Sequence, residues 1–267
     1  MSQRPSRRSR TSKPAGKFAS IQLLPVVGLP EFRAGDNLAR AIFEAAGKSK
    51  LAFENGDVLV IAQKIVSKVE GRIVDLSTIP ASQAAQDLAA KLKKDARFVE
   101  VILRESRRIV RSAPVLIVET HHGFVCANAG VDQSNVPGSD AVSLLPRDPD
   151  ASAHNLATSL RKLTRKRVAV IISDTFGRPW RLGLTNVAIG AAGVPVLLDL
   201  RGTRDLHNKP LHATILAVAD ELAAAAGLVM PKTAGVPAVI IRGYRYRVSK
   251  DERAASIIRP AQEDLFR

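Results

Sequence analysis

The sequence has 267 residues, 46% hydrophobic but only 4% aromatic, with one cysteine and a net charge of +15. That apolar fraction excludes a disordered chain and supports a sizeable core of Val, Ile, Leu and Ala. The lone Cys126 excludes an internal disulfide or a multi-cysteine metal site, and no apolar run approaches the ~20 residues that cross a bilayer.

Residues 1–17 carry six Lys/Arg and no acid, which leaves +9 for the rest of the chain. This Ser-, Arg- and Pro-rich stretch has no apolar signal region and is expected to be a disordered basic tail. It is either a solvated extension or a contact for nucleic acid or an anionic membrane surface. Residues 18–267 are expected to form one domain, and its +9 suits anionic small molecules. A cytoplasmic location fits the unpaired cysteine.

Phe18 to Val27 is apolar and extended, and Gly28-Leu29-Pro30-Glu31-Phe32 breaks it as a turn. Asp36 or Asn37 then caps a predicted helix with Leu38, Ala41, Ile42 and Ala45 on one face and Gly47 as its stop. Asn55-Gly56 turns the chain into Asp57–Ala62, a short buried strand. Gln63-Lys64-Ile65-Val66-Ser67-Lys68-Val69-Glu70-Gly71-Arg72 follows it directly. A lysine there either reaches a phosphate or is a solvated charge.

Ser82 opens a predicted helix striped by Ala85, Leu88 and Leu92, and a second runs over 96–107. Residues 114–119 and 124–128 read as a hairpin around His121-His122-Gly123. The two histidines lack a third ligand at helical spacing and read as exposed rather than metal-binding. In the polar segment 128–136, Asp132 and Asn135 either share a ligand or belong to an Asx-rich loop bonding its own backbone. Leu144 to Asp150 leads into a helix with Leu156, Leu160 and Leu163 as its stripe.

Val168 to Ile172 has no polar face, which suits a strand covered on both sides. Ser173-Asp174-Thr175 is expected to begin a loop that includes Gly177, Arg178, Arg181 and Gly183. A carboxylate just past a buried strand sits where α/β sheets expose their working groups. Asp174 and Thr175 are hard oxygen ligands for Mg²⁺ or Mn²⁺, and Arg178 and Arg181 are forked donors for phosphate or carboxylate. The plainer reading makes Asp174 a helix cap. Further on come a surface loop over 201–210, an alanine-rich helix over 213–226, a loop from Met230 to Gly235 and a strand over 236–242. There is no GxxxxGK[ST] and no GxGxxG.

Taken together, LPVVGLPEF (24–32), GDVLVIAQKIVSKVEGR (56–72), NAGVDQSNV (128–136), LLPRDPDASA (144–153), SDTFGRPWRLGLTNVAIGAAGV (173–194), VADELAAAAGLV (218–229) and VPAVIIRG (236–243) resemble the coenzyme F420:L-glutamate ligase family. The similarity runs in family order over about residues 20–265 and looks most like the ligase domain of the actinobacterial bifunctional enzymes. The resemblance implies a family-specific gamma-glutamyl ligase fold, α/β with mixed sheets, neither Rossmann nor P-loop. It implies that GTP phosphorylates the terminal carboxylate of the non-glutamylated deazaflavin coenzyme, and that the amino group of L-glutamate then attacks the acyl phosphate to give an amide, GDP and phosphate. It also implies Mg²⁺ or Mn²⁺, and a homodimer.

Carried onto this chain, the resemblance puts metal ligands at Asp132, Asp174 and Thr175. Nucleotide contacts fall on Leu29, Pro30, Glu31, Phe32, Gln63, Lys68 and Asn135, and on the loop Met230, Pro231, Lys232, Thr233, Ala234, Gly235 and Val236. Lys68, Asp132 and Asp174 are the expected catalytic set, with Arg178 and Arg181 as candidate grips for an anionic substrate. Lys232 stands where archaeal members carry an acidic or amide metal ligand, and a charged lysine cannot ligate a cation. Two other readings are the same activation on a different carboxylate acceptor, or a basic nucleic-acid-binding protein. The second lacks the interleaved aromatic and basic residues that stack bases.

Overall fold

In the computed structural model, residues 20–136, 138–249 and 252–264 are described; the expected basic tail over 1–17 lies outside them. The first half runs β1 (Gln22–Pro25), α1 (Leu38–Lys48), β2 (Val58–Ala62), α2 (Gln63–Val69) and β3 (Ile73–Asp75). It continues with α3 (Gln83–Leu92), α4 (Ala96–Arg104), β4 (Ser106–Arg111), β5 (Ile117–Thr120), β6 (Val125–Ala127) and β7 (Ala141–Ser143). The second half holds α5 (Pro149–Thr164), β8 (Ala169–Arg178), β9 (Arg181–Ala192), β10 (Leu198–Asp199), β11 (Ile215–Leu216), α6 (Val218–Gly227) and β12 (Ala238–Arg242).

The continuous apolar runs behave as their composition requires. A five-stranded sheet in the order β1-β12-β2-β8-β9 forms the middle of the molecule. Its β2 and β8 pair in parallel, while the other neighbours are antiparallel. Leu59, Ile61, Val170, Ile172 and Ile240 face one apolar cluster with α1 and α5; Val58, Val60, Ala169, Ile171, Val239 and Ile241 face another with α6. Both faces are therefore dry, and neither strand alternates polar with apolar. Small α6 residues, Ala219, Ala223 and Ala226, are fully buried and let the helix lie close to the sheet. The α/β architecture with mixed sheets stands as expected.

The crossover from β2 to β8 carries a third apolar cluster built from α3, α4 and the β4-β5-β6 sheet. Helix ends follow local chemistry: Asn37, Ser82, Asp95 and Asp148 each accept a backbone N–H in the first turn. Asp150 is buried and holds chain segments together, accepting from the amides of Ala191, Ala254 and Ala255.

Several boundaries differ from the sequence reading. Gly47 lies inside α1, and Ser49 caps the helix. Helix α4 ends at Arg104, because Ser106–Arg111 pairs with β5 as a strand. The alanine-rich helix starts at Val218; Ile215-Leu216 instead pairs with Leu198-Asp199 at the base of a projecting arm. The largest difference concerns Ser173 to Arg178. This stretch is strand rather than loop, since β8 runs on to Arg178 and pairs with β9 down to a tight turn. Asp174 therefore caps no helix.

Candidate active site

The parallel pairing of β2 with β8 ends at Ala62 opposite Ser173, where β2 stops and β8 runs on beside β9 alone. Beyond Ala62 the chain turns at once into α2, whose first residues Gln63 and Lys64 and later Lys68 face the same open space as Ser173, Asp174 and Thr175. The loop after β1, the segment around Asp132 and the loop before β12 close the other sides. The result is a cleft of about 760 Å³. Its walls include Leu29, Pro30, Glu31 and Phe32 from the first loop, and Asp132 and Asn135 from the second. Met230, Pro231, Lys232, Thr233, Gly235 and Val236 come from the third.

Nearly all the expected positions thus meet in one place. Ala234 is not among the residues lining the cleft. Arg178 and Arg181 sit at the turn of the β8–β9 hairpin, exposed, where Arg178 Nη2 donates to the Leu182 carbonyl at 2.9 Å. They do not line the cleft.

The charges in the cleft are arranged in pairs. Lys68 is 7% exposed and its Nζ donates to Glu31 Oε1 across the first loop. The solvated-lysine reading therefore fails for Lys68. Lys64 Nζ donates to Asp132 Oδ2 at 2.8 Å, to the Ser134 carbonyl at 2.6 Å and to Ser134 Oγ at 2.9 Å. Asp132 also accepts from Ser134 N at 2.8 Å and Ser134 Oγ at 2.7 Å, so the Asx-turn reading holds while the carboxylate still faces the cleft. Burial pushes the Asp132 carboxyl up, but the bonds from Lys64 and Ser134 outweigh it and hold it below the ordinary value.

Asp174 behaves differently. Burial pushes its carboxyl up to about 6, opposed by the Thr175 amide and the Lys64 charge and reinforced by the nearby Asp132. A desolvated carboxylate beside a second one is a place that gains from a cation. Thr175 Oγ1 donates to Asn186 Oδ1 at 3.1 Å, which leaves its lone pairs for a ligand. Two carboxylates and a hydroxyl of this kind fit a hard divalent ion. Among the described residues no group of three or more His, Cys, Asp or Glu gathers that could hold a metal ion. Such an ion would thus draw its remaining oxygens from substrate or water. Gln63 is 2% exposed and accepts from Ser67 Oγ at 2.7 Å, which fixes its side chain at the start of α2.

Lys64, Ser173 and Asn186 are cleft residues that the sequence reading did not single out. Lys64 carries the signal used for Lys68, a cation just past a buried strand. Asn186 carries no local signal, because only the β8–β9 register brings it opposite Thr175. The histidine pair is absorbed by structure: His121 Nε2 meets the Arg104 carbonyl at 2.9 Å, and His122 Nε2 meets the Pro146 carbonyl at 2.9 Å.

Residues 27–243 match the family model described as F420-0:gamma-glutamyl ligase. The chain belongs to this family. A coenzyme F420:L-glutamate ligase of Methanothermobacter thermautotrophicus is 48% identical over 250 residues, 92% of this chain and 99% of that protein. Its namesake in Methanopyrus kandleri is 48% identical over 257 residues, 94% of this chain and all of that protein. A third, from Methanocaldococcus jannaschii, is 43% identical over 248 residues, 91% of this chain and 96% of that protein. Among the described residues no helix is long and apolar enough to cross a membrane.

Proposed function

We propose that this chain is a coenzyme F420:L-glutamate ligase that uses GTP to activate the coenzyme precursor as an acyl phosphate. The observation that carries the reading is the meeting of Lys68, Lys64, Asp132, Asp174 and Thr175 in one cleft of a member of this family. A carboxylate and an amine do not condense in water unaided; phosphorylation supplies a leaving group. The precursor's terminal carboxylate oxygen attacks the γ-phosphorus, and GDP leaves. The glutamate amine then attacks the acyl carbon, phosphate departs with the C–O electrons, and the amine loses a proton to give the amide.

Each residue has a role its chemistry permits. Lys68, released from Glu31 by an arriving triphosphate, neutralises charge on the phosphoryl group in transfer. Lys64 keeps Asp132 ionised and oriented. Asp132, Asp174 and Thr175 would hold Mg²⁺ or Mn²⁺, which supplies charge neutralisation and alignment of phosphate oxygens when bound. Lys232 adds positive charge near Asp174. The loop Leu29–Phe32 and the loop Met230–Val236 flank the space for the guanine nucleotide.

A homodimer also fits this reading. The hairpin tip exposes Leu182 at 97%, and the projecting arm exposes Leu206 fully, so apolar side chains stand in water on one copy. Sedimentation of the purified protein checks it. The reaction is assigned to the cytoplasm, where GTP is supplied.

Mass spectrometry of the coenzyme after incubation with protein, L-glutamate, GTP and Mn²⁺ tests the activity. A GTP-dependent gain of one or more glutamyl units is expected. Equal product with no nucleotide would overturn the GTP step, and no product with any nucleotide would overturn the reaction itself.

A further inference from the structure

The molecule has a second cavity, of about 910 Å³, at the opposite end of the central sheet. Its walls include Asp57, Val168 and Ala169, where β2 and β8 begin, whereas the cleft takes Ala62 and Ser173 to Thr175, where the paired part of these strands ends. Four residue steps of β8, from Ala169 to Ser173, about 13 Å of strand, separate the two.

The lining is basic and aromatic. Arg161, Arg167 and Arg245, all exposed, line this cavity, and among the described residues none of their guanidinium groups makes an ion pair or a side-chain hydrogen bond. The acids on the same wall are already used. Asp57 is 1% exposed and accepts two bonds from Arg242, at 2.9 and 2.8 Å, and Glu54 pairs with the same arginine at 2.6 Å. Among the described residues, counter-charge for the other three arginines is therefore absent from these walls. Tyr244 and Tyr246 line the cavity as well, their rings stacked with centroids 5.8 Å apart and planes 16° from parallel. Burial pushes the Tyr246 hydroxyl up to about 12, with Asp57 adding to the rise, so it stays a neutral donor.

A plainer cause covers only part of this. Five of the seven residues 161–167 are basic, and cations in the last turn of a helix complement its dipole. That accounts for Arg161, which lies in the last turn of α5. Arg167 lies beyond the helix end, and Arg245 arrives from the chain after β12. Neither sits in the last helical turn, and both line the cavity that the tyrosines line.

We propose that this cavity is a second binding site, remote from the cleft, for a phosphorylated small molecule that carries a planar aromatic ring. The three arginines take the phosphate as forked donors, and the tyrosine pair offers a flat apolar surface to the ring. The site contributes no group to the ligase cleft and does not depend on the ligase reading.

Flavin mononucleotide is a suitable probe for the full-length protein, because stacking on tyrosine quenches its fluorescence. Saturable quenching is expected, with competition by inorganic pyrophosphate and at least tenfold weaker binding of riboflavin, which lacks the phosphate. The R167Q/R245Q double variant should bind at least tenfold more weakly, while Asp174→Asn in the cleft binds as the parent does. Arg161→Gln, on an exposed helix face, should give about a threefold loss and serves if the double variant does not fold. No saturable quenching would overturn the proposal. So would unchanged binding in the arginine variants, or an equal loss in Asp174→Asn, which would move the probe to the cleft. Ligase turnover of the double variant, measured alongside, keeps this outcome separate from that of the proposed reaction.

Discussion

The β8–β9 hairpin has two halves that obey different rules. At its base, Val170, Ile171 and Ile172 face Ala192, Ala191 and Gly190, and every one is buried. At its far end Gly177 and Arg178 face Leu184 and Arg181, all exposed. Between them the register slips: Ile172 pairs with Gly190 but Ser173 pairs with Ala188, so Ile189 is an extra residue on β9. A bulge of this kind bends the strand and re-aims the side chains beyond it. The next residue on β8 is Asp174, followed by Thr175. The site sits where the packed half gives way to the projecting half. The base is buried, the tip is exposed, and the junction is where a carboxylate can be partly desolvated yet still face a ligand.

The largest expected effect lies at the junction. Asp174→Asn keeps the shape and removes the charge, so turnover should fall by at least about 100-fold while the unfolding midpoint holds or rises. Steady-state kinetics with varied Mn²⁺, beside thermal melts, check both parts. Loss of fold together with activity would make Asp174 structural. At the base the expected loss is of stability instead. A Cβ on Gly190 would lie 2.3 Å from the Pro149 carbonyl oxygen, where β9 passes under the start of α5. Gly190→Ala should therefore cost roughly 1–3 kcal/mol. Chemical denaturation reads that cost, and turnover per folded molecule should stay close to the parent.

How much of this was legible in the sequence follows the same division. The base of β8 was legible because five apolar residues in a row leave no other assignment than a doubly covered strand. The continuation through Ser173 to Arg178 was not, because its polar, glycine-containing sequence is what a loop looks like. Its strand character comes from β9, a partner with its own two glycines and no alternating pattern. Helix α2 was illegible for a related reason: it follows β2 with no turn residue and no side-chain cap. Yet α2 carries Lys64 and Lys68, so the cleft's cations were read as positions after a strand and not as a helix. The residues of the cleft were named mainly through family resemblance, from motifs scattered over 200 positions. The parallel pairing of β2 with β8, with β12 and β1 antiparallel beside β2, explains why those motifs meet.

A smaller effect is expected well away from the hairpin, in the third apolar cluster. Glu100 on α4 accepts from Ser82 N at 3.1 Å, Ser82 Oγ at 2.6 Å and Arg104 Nε at 2.9 Å. The Ser82 hydroxyl bond first, then the Arg104 bond, lower its carboxyl from 4.5 to about 2. A folded-state value below the unfolded one means the stabilisation is fully present above about pH 4.5 and is lost as pH falls toward 2. Glu100→Gln should thus cost about 1 kcal/mol at pH 7, and the difference from the parent should shrink in melts below pH 4. A cost independent of pH would assign the effect to packing and not to the charge.

The smallest effect is expected at the hairpin tip, and it bears most directly on the comparison between the two halves. Arg178 and Arg181 have the chemistry to grip an anionic acceptor, but within one chain they lie beyond the cleft, with Arg178 bonded to the Leu182 carbonyl. Geometry within a single copy therefore predicts that Arg181→Gln changes kcat and all three KM values by less than about threefold, as for an exposed charge. The tip also carries Leu182 and Leu184, apolar side chains at 97% and 62% exposure, which a second copy would cover. If that second copy brings the tip to its own cleft, Arg181→Gln should raise KM for the coenzyme precursor well beyond threefold and leave KM for GTP alone. Leu182→Glu, which breaks the association and spares the arginine, should then reproduce the same rise. An effect of Arg181→Gln without an effect of Leu182→Glu would place the grip within one chain, and the tip would have to move to reach it.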